Sequence, residues 1–406
     1  LNVEYETLLK NHEALDSITF LYDKLKVQNY GRLWFNPSFQ SPDFYKKALK
    51  YEDVYYRFWD CKDGQFLKEA GSYRTLFPQN KEKLFNALAM GDKVNSDFFM
   101  SMFDDVLVTV LEKYGLIAFE SSDILFNIRI IPTPLGPIIS DPRSSQDLYA
   151  IHFGLDSVLF FNFLKRVFTE RTRIESILEL GCGTGIHSIL AEKTCGVSKA
   201  LLTDINKRAL ECAQLNCILN GCINDRTFCK SNWFENIEEG AAFDIILCNP
   251  PFEWRTGSEI DSSTLAGLGG GQFGLLHTLH VLKNLQPYIN QNSVAYLLTQ
   301  SVVDMNGNIK LFDIDGELLD ILKEYSFAVK THVLYEHMLV TENMMKDLID
   351  NNLSHFALTV IEISIAPKYS SKTVDARPFI KRLSDKKRVK TCYEFWQKYF
   401  NGKKLR

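Results

Sequence analysis

A single turn constrains this chain most. Glu179-Leu180-Gly181-Cys182-Gly183-Thr184-Gly185 follows a short apolar run and leads straight into a helical pattern. Alternate glycines permit a tight bend and let a ligand approach the backbone closely. The N-terminus of the following helix offers N–H groups that have no partner within the helix. A strand–turn–helix unit of this kind belongs to a parallel sheet, and the pattern around it repeats. Strands are expected at Ser176–Leu180, Ala200–Thr203, Thr227–Cys229, Phe243–Cys248, Ser293–Thr299, Ala328–Leu334 and His355–Ile365. Helices are expected at Ile186–Lys193, Lys207–Asn220 and Gly274–Tyr288, with a helical excursion over Tyr335–Asn352. Seven strands alternating with helices predict a doubly wound α/β domain.

The glycine turn does not fit a dinucleotide. That fingerprint needs a third small residue six positions on, where Ile186 stands. An acid before Gly-x-Gly-x-Gly suits a cofactor without a pyrophosphate. The zwitterionic methionine part of S-adenosylmethionine needs close backbone contact and an acid for its ammonium. Asp204 ends the next strand, where an acid suits ribose hydroxyls. The alternative for this stretch is plain helix capping, for which Asn206 is well suited.

A second motif follows the strand ending at Cys248: Asn249-Pro250-Pro251-Phe252. Open parallel sheets bind ligands beyond the carboxyl ends of their strands. Two prolines stiffen the turn. The Pro250 carbonyl and the Asn249 side-chain oxygen are both acceptors, and two converging acceptors can hold a planar NH₂ group. Phe252 offers a face on which a flat base or amide can stack.

Together these residues resemble the class I S-adenosylmethionine-dependent methyltransferases, in the branch with an Asn-Pro-Pro-aromatic motif, the small-domain type. That branch methylates adenine N6, guanine N2 or glutamine N5. The resemblance covers residues 148 to 367. It implies a Rossmann-like seven-stranded sheet that ends in an antiparallel hairpin. It also implies an N-methyltransferase with S-adenosyl-L-methionine as its cofactor. Glu179, Gly181, Gly183 and Gly185 would then face the methionine part, and Asp204 the ribose. Asn232 would face the adenine amine, where the family usually has Asp; its amide oxygen can still accept that bond. Asn249, Pro250 and Phe252 would carry the target nitrogen, so they are the catalytic candidates. Asn249 also borders the cofactor. Pro251, Phe252 and Trp254 would line the acceptor. The segment Tyr149–Ser157 sits where the family closes over the cofactor. An exocyclic amine of a nucleobase in RNA or DNA is the first expected acceptor. A glutamine-like amide, peptide or small metabolite is the alternative. A non-catalytic binding scaffold is the rival from another class.

The rest of the chain sets the context. Residues 1–145 are expected to form an accessory domain and residues 146–368 the cofactor-binding domain, with a basic tail at 369–406. A helix over Asp97–Tyr114, capped by Ser96, precedes strands at Leu116–Phe119 and Ile124–Ile131, a winged-helix outline over about 93–135. Pro132, Pro134, Pro137 and Pro142 mark an expected linker or domain boundary. The formal charge is −4, but residues 371–406 hold twelve Lys or Arg against three acids, a surplus of nine, which leaves −13 on the remainder. A basic tail on an acidic body can contact nucleic acid, or it can be a solvated helix. The 29 Phe and 17 Tyr supply a sizeable core, with Tyr55, Tyr56, Phe58 and Trp59 among the expected core residues. The nine cysteines contain no Cys-x-x-Cys pair, so free thiols in a reducing compartment are expected and a zinc site is not. The opening Leu1-Asn2-Val3-Glu4 lacks the pattern of a signal peptide, and no run is long enough to span a bilayer. A cytoplasmic location follows as an expectation, and a first residue other than Met points to a trimmed chain. His187 is read as a helix-facing polar group, His277 and His280 as no metal site, and Thr256–Gly271 as a loop suited to a lid.

Overall fold

A computed structural model describes residues 3–26, 84, 87–88, 91–142, 145, 147, 149–171, 174–223, 225–252, 272–311, 316–337, 346 and 348–375. Trp59 and its aromatic neighbours, Trp254, the Thr256–Gly271 loop and the tail beyond Asp375 lie outside the described residues.

In chain order come helices α1 (Tyr5–Leu9) and α2 (His12–Lys26), strand β1 (Val94–Asn95), and helices α3 (Ser96–Met100) and α4 (Asp105–Lys113). Strands β2 (Ile117–Glu120), β3 (Asp123–Phe126), β4 (Arg129–Pro132) and β5 (Pro137–Ser140) follow, then helix α5 (Leu155–Thr169). Next are β6 (Ser176–Leu180), α6 (Ile186–Cys195), β7 (Lys199–Asp204), α7 (Lys207–Leu219), β8 (Arg226–Lys230) and β9 (Ile245–Cys248). The last are α8 (Leu276–Asn284), β10 (Val294–Asp304), α9 (Gly316–Glu324), β11 (Phe327–His337), β12 (Leu353–Ile365) and β13 (Ser370–Asp375). Eight strands make up the main sheet, one more than expected. The addition is β13, inside the expected tail, which pairs in parallel with β11 from Ala328↔Ser370 to Val333↔Asp375. The chain divides into two compact units.

The first unit holds residues 1–175 and 181–232. The expected helix over Asp97–Tyr114 is two helices, because Asp104 interrupts it: its side chain accepts from the Leu107 N–H at 2.8 Å and starts α4 afresh. The cap of α3 is Asn95 rather than Ser96, whose hydroxyl donates to the Ser122 carbonyl instead. Strands β1, β3 and β2 form a small antiparallel sheet in that order. The expected strand Ile124–Ile131 is broken at Asn127, whose amide donates to the Gly115 carbonyl at 2.9 Å. The proline-rich stretch is a hairpin and not a linker. Pro132 faces Pro137 across the β4–β5 ladder, and the hydroxyl of Thr133 closes the turn on the Gly136 carbonyl.

A buried asparagine on α7 holds this unit together. Asn216 is 0 % exposed. Its oxygen accepts from the Ile139 N–H at 2.7 Å, and its amide donates to the carbonyls of Ile139 and Thr184, each at 3.0 Å. Nearby, Asp141 binds three segments. Tyr5 donates to it at 2.9 Å, the Ile151 N–H at 2.7 Å and the Arg208 Nε at 3.0 Å, and a second Arg208 nitrogen pairs with it as well. Arg208 also stacks over the Tyr5 ring at 4.3 Å. These polar contacts sit within a core of Leu8, Ile18, Phe99, Leu111, Phe126 and Cys212.

The second unit holds residues 176–180 and 233–406. Its strands run in the order β13-β11-β12-β10-β9-β6. Strand β9 is buried over its whole length and lies parallel to β6 and to β10, as a central parallel strand should. Strand β12 is antiparallel to both β10 and β11, which is the antiparallel ending the family resemblance implies. The expected Gly274–Tyr288 helix is shorter, because α8 is flanked by single 3₁₀ turns at Gln272–Gly274 and Gln286–Tyr288. Across β11 and β12, Glu362 meets Lys330 and His332, the latter at 2.7 Å. Burial works against its charge, but the bonds from His332 and Lys330 prevail and hold its pKa down to about 2.

Two outcomes follow. Asn216→Leu removes the side-chain partner of the buried Ile139 N–H and Thr184 carbonyl, so it is expected to cost about 2–5 kcal/mol by denaturant titration. Glu362 has a depressed pKa, so its contribution is complete above the ordinary carboxylate range and is lost as pH falls toward about 2. Glu362→Gln is expected to flatten the fall in stability between about pH 4.5 and pH 2, measured by denaturant midpoints across that window.

Candidate active site

In the first unit the glycine turn is drawn tight by its own backbone. The Gly185 N–H donates to the Cys182 carbonyl at 2.7 Å, and the Cys182 N–H donates to the Thr203 carbonyl at 2.9 Å. Gly181, Gly183 and Gly185 all have left-handed backbone, with φ of 63°, 50° and 70°, which side-chain-bearing residues resist. The last two glycines serve different ends. A Cβ on Gly185 would lie 3.0 Å from the Ala213 Cβ and 3.4 Å from Leu202, so that glycine lets the turn pack on α7 and β7. A Cβ on Gly183 would meet nothing within 4 Å, so that glycine leaves space over the turn. Gly185 caps α6 without a side chain, and no acid stands in the first turn of that helix. The helix start is therefore suited to a negative group from outside.

Asp204 is tied to this turn. One carboxylate oxygen accepts from the Gly183 N–H at 3.1 Å and the other from the Asn206 N–H at 2.9 Å. Its carbonyl accepts from the Ser231 N–H at 3.0 Å, which sets Asn232, exposed, at the end of β8. The unit therefore holds the glycine turn, through Gly183, on Asp204 at the carboxyl end of β7, with Asn232 just past the end of β8, its parallel neighbour. Asn206 both caps α7, through the Arg208 N–H, and donates to the Tyr149 carbonyl at 3.0 Å. The segment around Tyr149–Phe153 is held at two further points, by Asp141 on Ile151 and by Arg129 on the Phe153 carbonyl at 3.2 Å. Sequence reading missed Arg129, Asp141 and Arg208, whose partners lie far along the chain. His187 is buried, with Nε2 3.4 Å from the Ser157 carbonyl and its ring 4.8 Å from that of Phe160, a packing role.

In the second unit Glu179 is buried on β6 beside Leu247 of β9. Asn249 follows β9 directly, with Pro250 buried and Pro251 and Phe252 partly exposed. The Phe252 carbonyl lies so close to Gly274 that a Cβ there would come within 2.2 Å of it. The Asn-Pro-Pro-Phe corner is thus braced from the turn before α8. Trp233, His277 and His280 form a ring cluster, with centroids 5.5 and 6.2 Å from the indole. No group of metal-binding residues occurs among the described residues. Seven free cysteines are described, five of them buried, and no described helix is long and apolar enough to cross a membrane.

The stretch expected to be one helix and two strands holds two helices and three strands, and the solvent face of α4 is acidic. Asp104, Asp105 and Glu112 are exposed there, and its one lysine, Lys113, pairs with Glu13 at 2.8 Å. That face repels phosphate.

Residues 158–266 match the methyltransferase small domain family, a stretch that includes both motifs. A release factor glutamine methyltransferase of Agrobacterium fabrum is 39 % identical over 24 % of this chain and 36 % of its own. A ribosomal RNA large subunit methyltransferase G of Pseudoalteromonas translucida is 33 % identical over 23 % and 24 %. A ribosomal protein uL3 glutamine methyltransferase of Bordetella pertussis is 28 % identical over 31 % and 43 %. The chain thus spans less than half the length of these relatives.

The two glycines can be told apart by substitution. Gly183→Ala and Gly185→Ala share a left-handed backbone cost of about 1–2 kcal/mol. Gly185→Ala adds the clash with Ala213, so it is expected to melt at the lower temperature of the two by calorimetry.

Proposed function

We propose that this chain is an S-adenosylmethionine-dependent N-methyltransferase acting on a planar amino or amide nitrogen. The observation that carries the reading is the Asn249-Pro250-Pro251-Phe252 corner, which ends a buried parallel strand and is braced at Gly274. The small-domain match over the same residues supports it.

The residues of the glycine turn fit the cofactor. Gly183 leaves open space above the backbone, and the uncapped start of α6 suits a carboxylate. Glu179 would receive the ammonium, Gly181, Gly183 and Gly185 the rest of the methionine part, Asp204 the ribose and Asn232 the adenine amine. When bound, the cofactor supplies a sulfonium methyl that is already a strong electrophile. The protein's task is alignment and exclusion of water. The Asn249 oxygen and the Pro250 carbonyl would accept from the target NH₂ and stabilise the positive charge that grows on its nitrogen. Phe252 would stack on the flat acceptor. Pro251 and Trp254 would border it. No separate base is needed first, because the methylated nitrogen sheds its proton readily afterwards.

The proposed acceptor is an exocyclic amine of a nucleobase in RNA, which suits the basic tail and the ribosomal RNA relative. The second reading is a glutamine amide in a protein, which the acidic face of α4 and the two glutamine methyltransferases favour. Residues 1–145 would then be an acceptor-recognition domain, residues 146–368 the catalytic domain and residues 369–406 a basic tail.

Transfer of radiolabelled methyl from S-adenosylmethionine into separated RNA, DNA, protein and small-molecule pools tests the reading; label in none of them rejects it. Asn249→Ala is expected to lower the transfer rate by about 10²–10³, with S-adenosylhomocysteine affinity unchanged by calorimetric titration.

A further inference from the structure

One buried polar group on β10, the strand paired with β9, has no role in the scheme above. Gln300 lies on β10, three residues beyond Leu297, which pairs with Cys248, the last residue of β9. The ladder itself ends there; carried three residues further, its register would bring Gln300 level with Pro251. Strand alternation sets it on the face of Tyr296 and Leu298. Tyr296 is the register partner of Leu247, two residues before Asn249. Gln300 is 7 % exposed, and its Nε2 has no hydrogen-bond partner among the described residues.

Its surroundings do not account for it. Its neighbours on that face are Leu298, Val302 and, across the ladder, Leu358, all buried and apolar. The other face of β10 is satisfied within the protein. Thr299 bonds to Thr278 of α8 and Ser301 to Thr359 of β12, each at 2.8 Å. A buried amide donor with no acceptor is costly and uncommon enough to need a reason. A leucine here would fill the same space without that cost.

Resting on the N-methyltransferase reading, we infer that Gln300 is an acceptor-binding residue whose side-chain NH₂ donates to the lone pair beside the methylated nitrogen. Each of the planar acceptors considered above has such a neighbour. In a carboxamide it is the carbonyl oxygen, and in adenine, guanine or cytosine it is a ring nitrogen. The two groups assigned to the target, the Asn249 side-chain oxygen and the Pro250 carbonyl, are acceptors, which suit the NH₂ alone. A donor next to them completes recognition of the planar group and fixes its rotation about the ring or amide plane. An alkylamine such as a lysine side chain has no such lone pair. The site therefore accepts amides and nucleobase amines and rejects alkylamines.

The full chain carrying Gln300→Met, with Gln300→Leu as a second apolar variant, tests this. The probes are a glutamine-containing peptide, a lysine-containing peptide and a single-stranded RNA containing all four bases, each with radiolabelled S-adenosylmethionine. The expected result has three parts. Both variants melt at or above the wild-type temperature. S-adenosylhomocysteine affinity is unchanged. The kcat/KM on the planar acceptor falls about tenfold to hundredfold, mainly through KM. Wild-type transfer that is undiminished in both variants overturns this inference and leaves the methyltransferase reading intact. Labelling of the lysine peptide by the wild type overturns it too. Absence of wild-type transfer to every probe removes both.

Discussion

The first unit depends on Asn216. This side chain stands in the last turn of α7, fully buried, and bonds to two separate segments. It completes the backbone bonding of Ile139 in the β4–β5 hairpin and takes up the carbonyl of Thr184 in the glycine turn. A buried amide is favourable only when its groups are paired, so the hairpin, helix and turn must come together in one arrangement. Gly185 makes the same demand sterically, since any larger residue would hold the turn away from Ala213. Hydrogen bonding and close packing thus specify one geometry from opposite sides.

Asp204 adds a consequence for ligand binding. Each of its carboxylate oxygens accepts from a backbone N–H, at Gly183 and at Asn206. The carboxylate is therefore held by the backbone on both oxygens, as the ribose-binding role proposed for it would require. Preorganisation of this kind reduces the entropy lost when a ligand binds. The Tyr149–Phe153 segment is treated alike, anchored by Asn206, Asp141 and Arg129 from three separate elements.

The parallel core was legible because its strands are short apolar runs between turn residues. Strand β6 has its expected bounds, and α6 and α7 begin at the expected residues. Errors arose where a polar side chain redirected the backbone. Asp104 split one helix and Asn127 one strand. The prolines of the β4–β5 hairpin looked like a linker because the hairpin is seated through Ile139 on Asn216, a residue 77 positions away. The Tyr5–Asp141–Arg208 cluster, joined over separations of 136 and 67 residues, has no local signature at all. Of the two motifs, both were visible as turn chemistry. What braces them was not.

The contact between the Phe252 carbonyl and Gly274 couples two stretches separated by more than twenty residues. With no side chain between them, the two backbones touch almost directly, so neither can shift without the other. Drift at position 274 during evolution would be transmitted to the corner as a displacement, and the corner could change its opening only if that glycine's turn changed in step. Selection for a differently sized guest would therefore leave its mark at 274, a site that need not touch the guest at all.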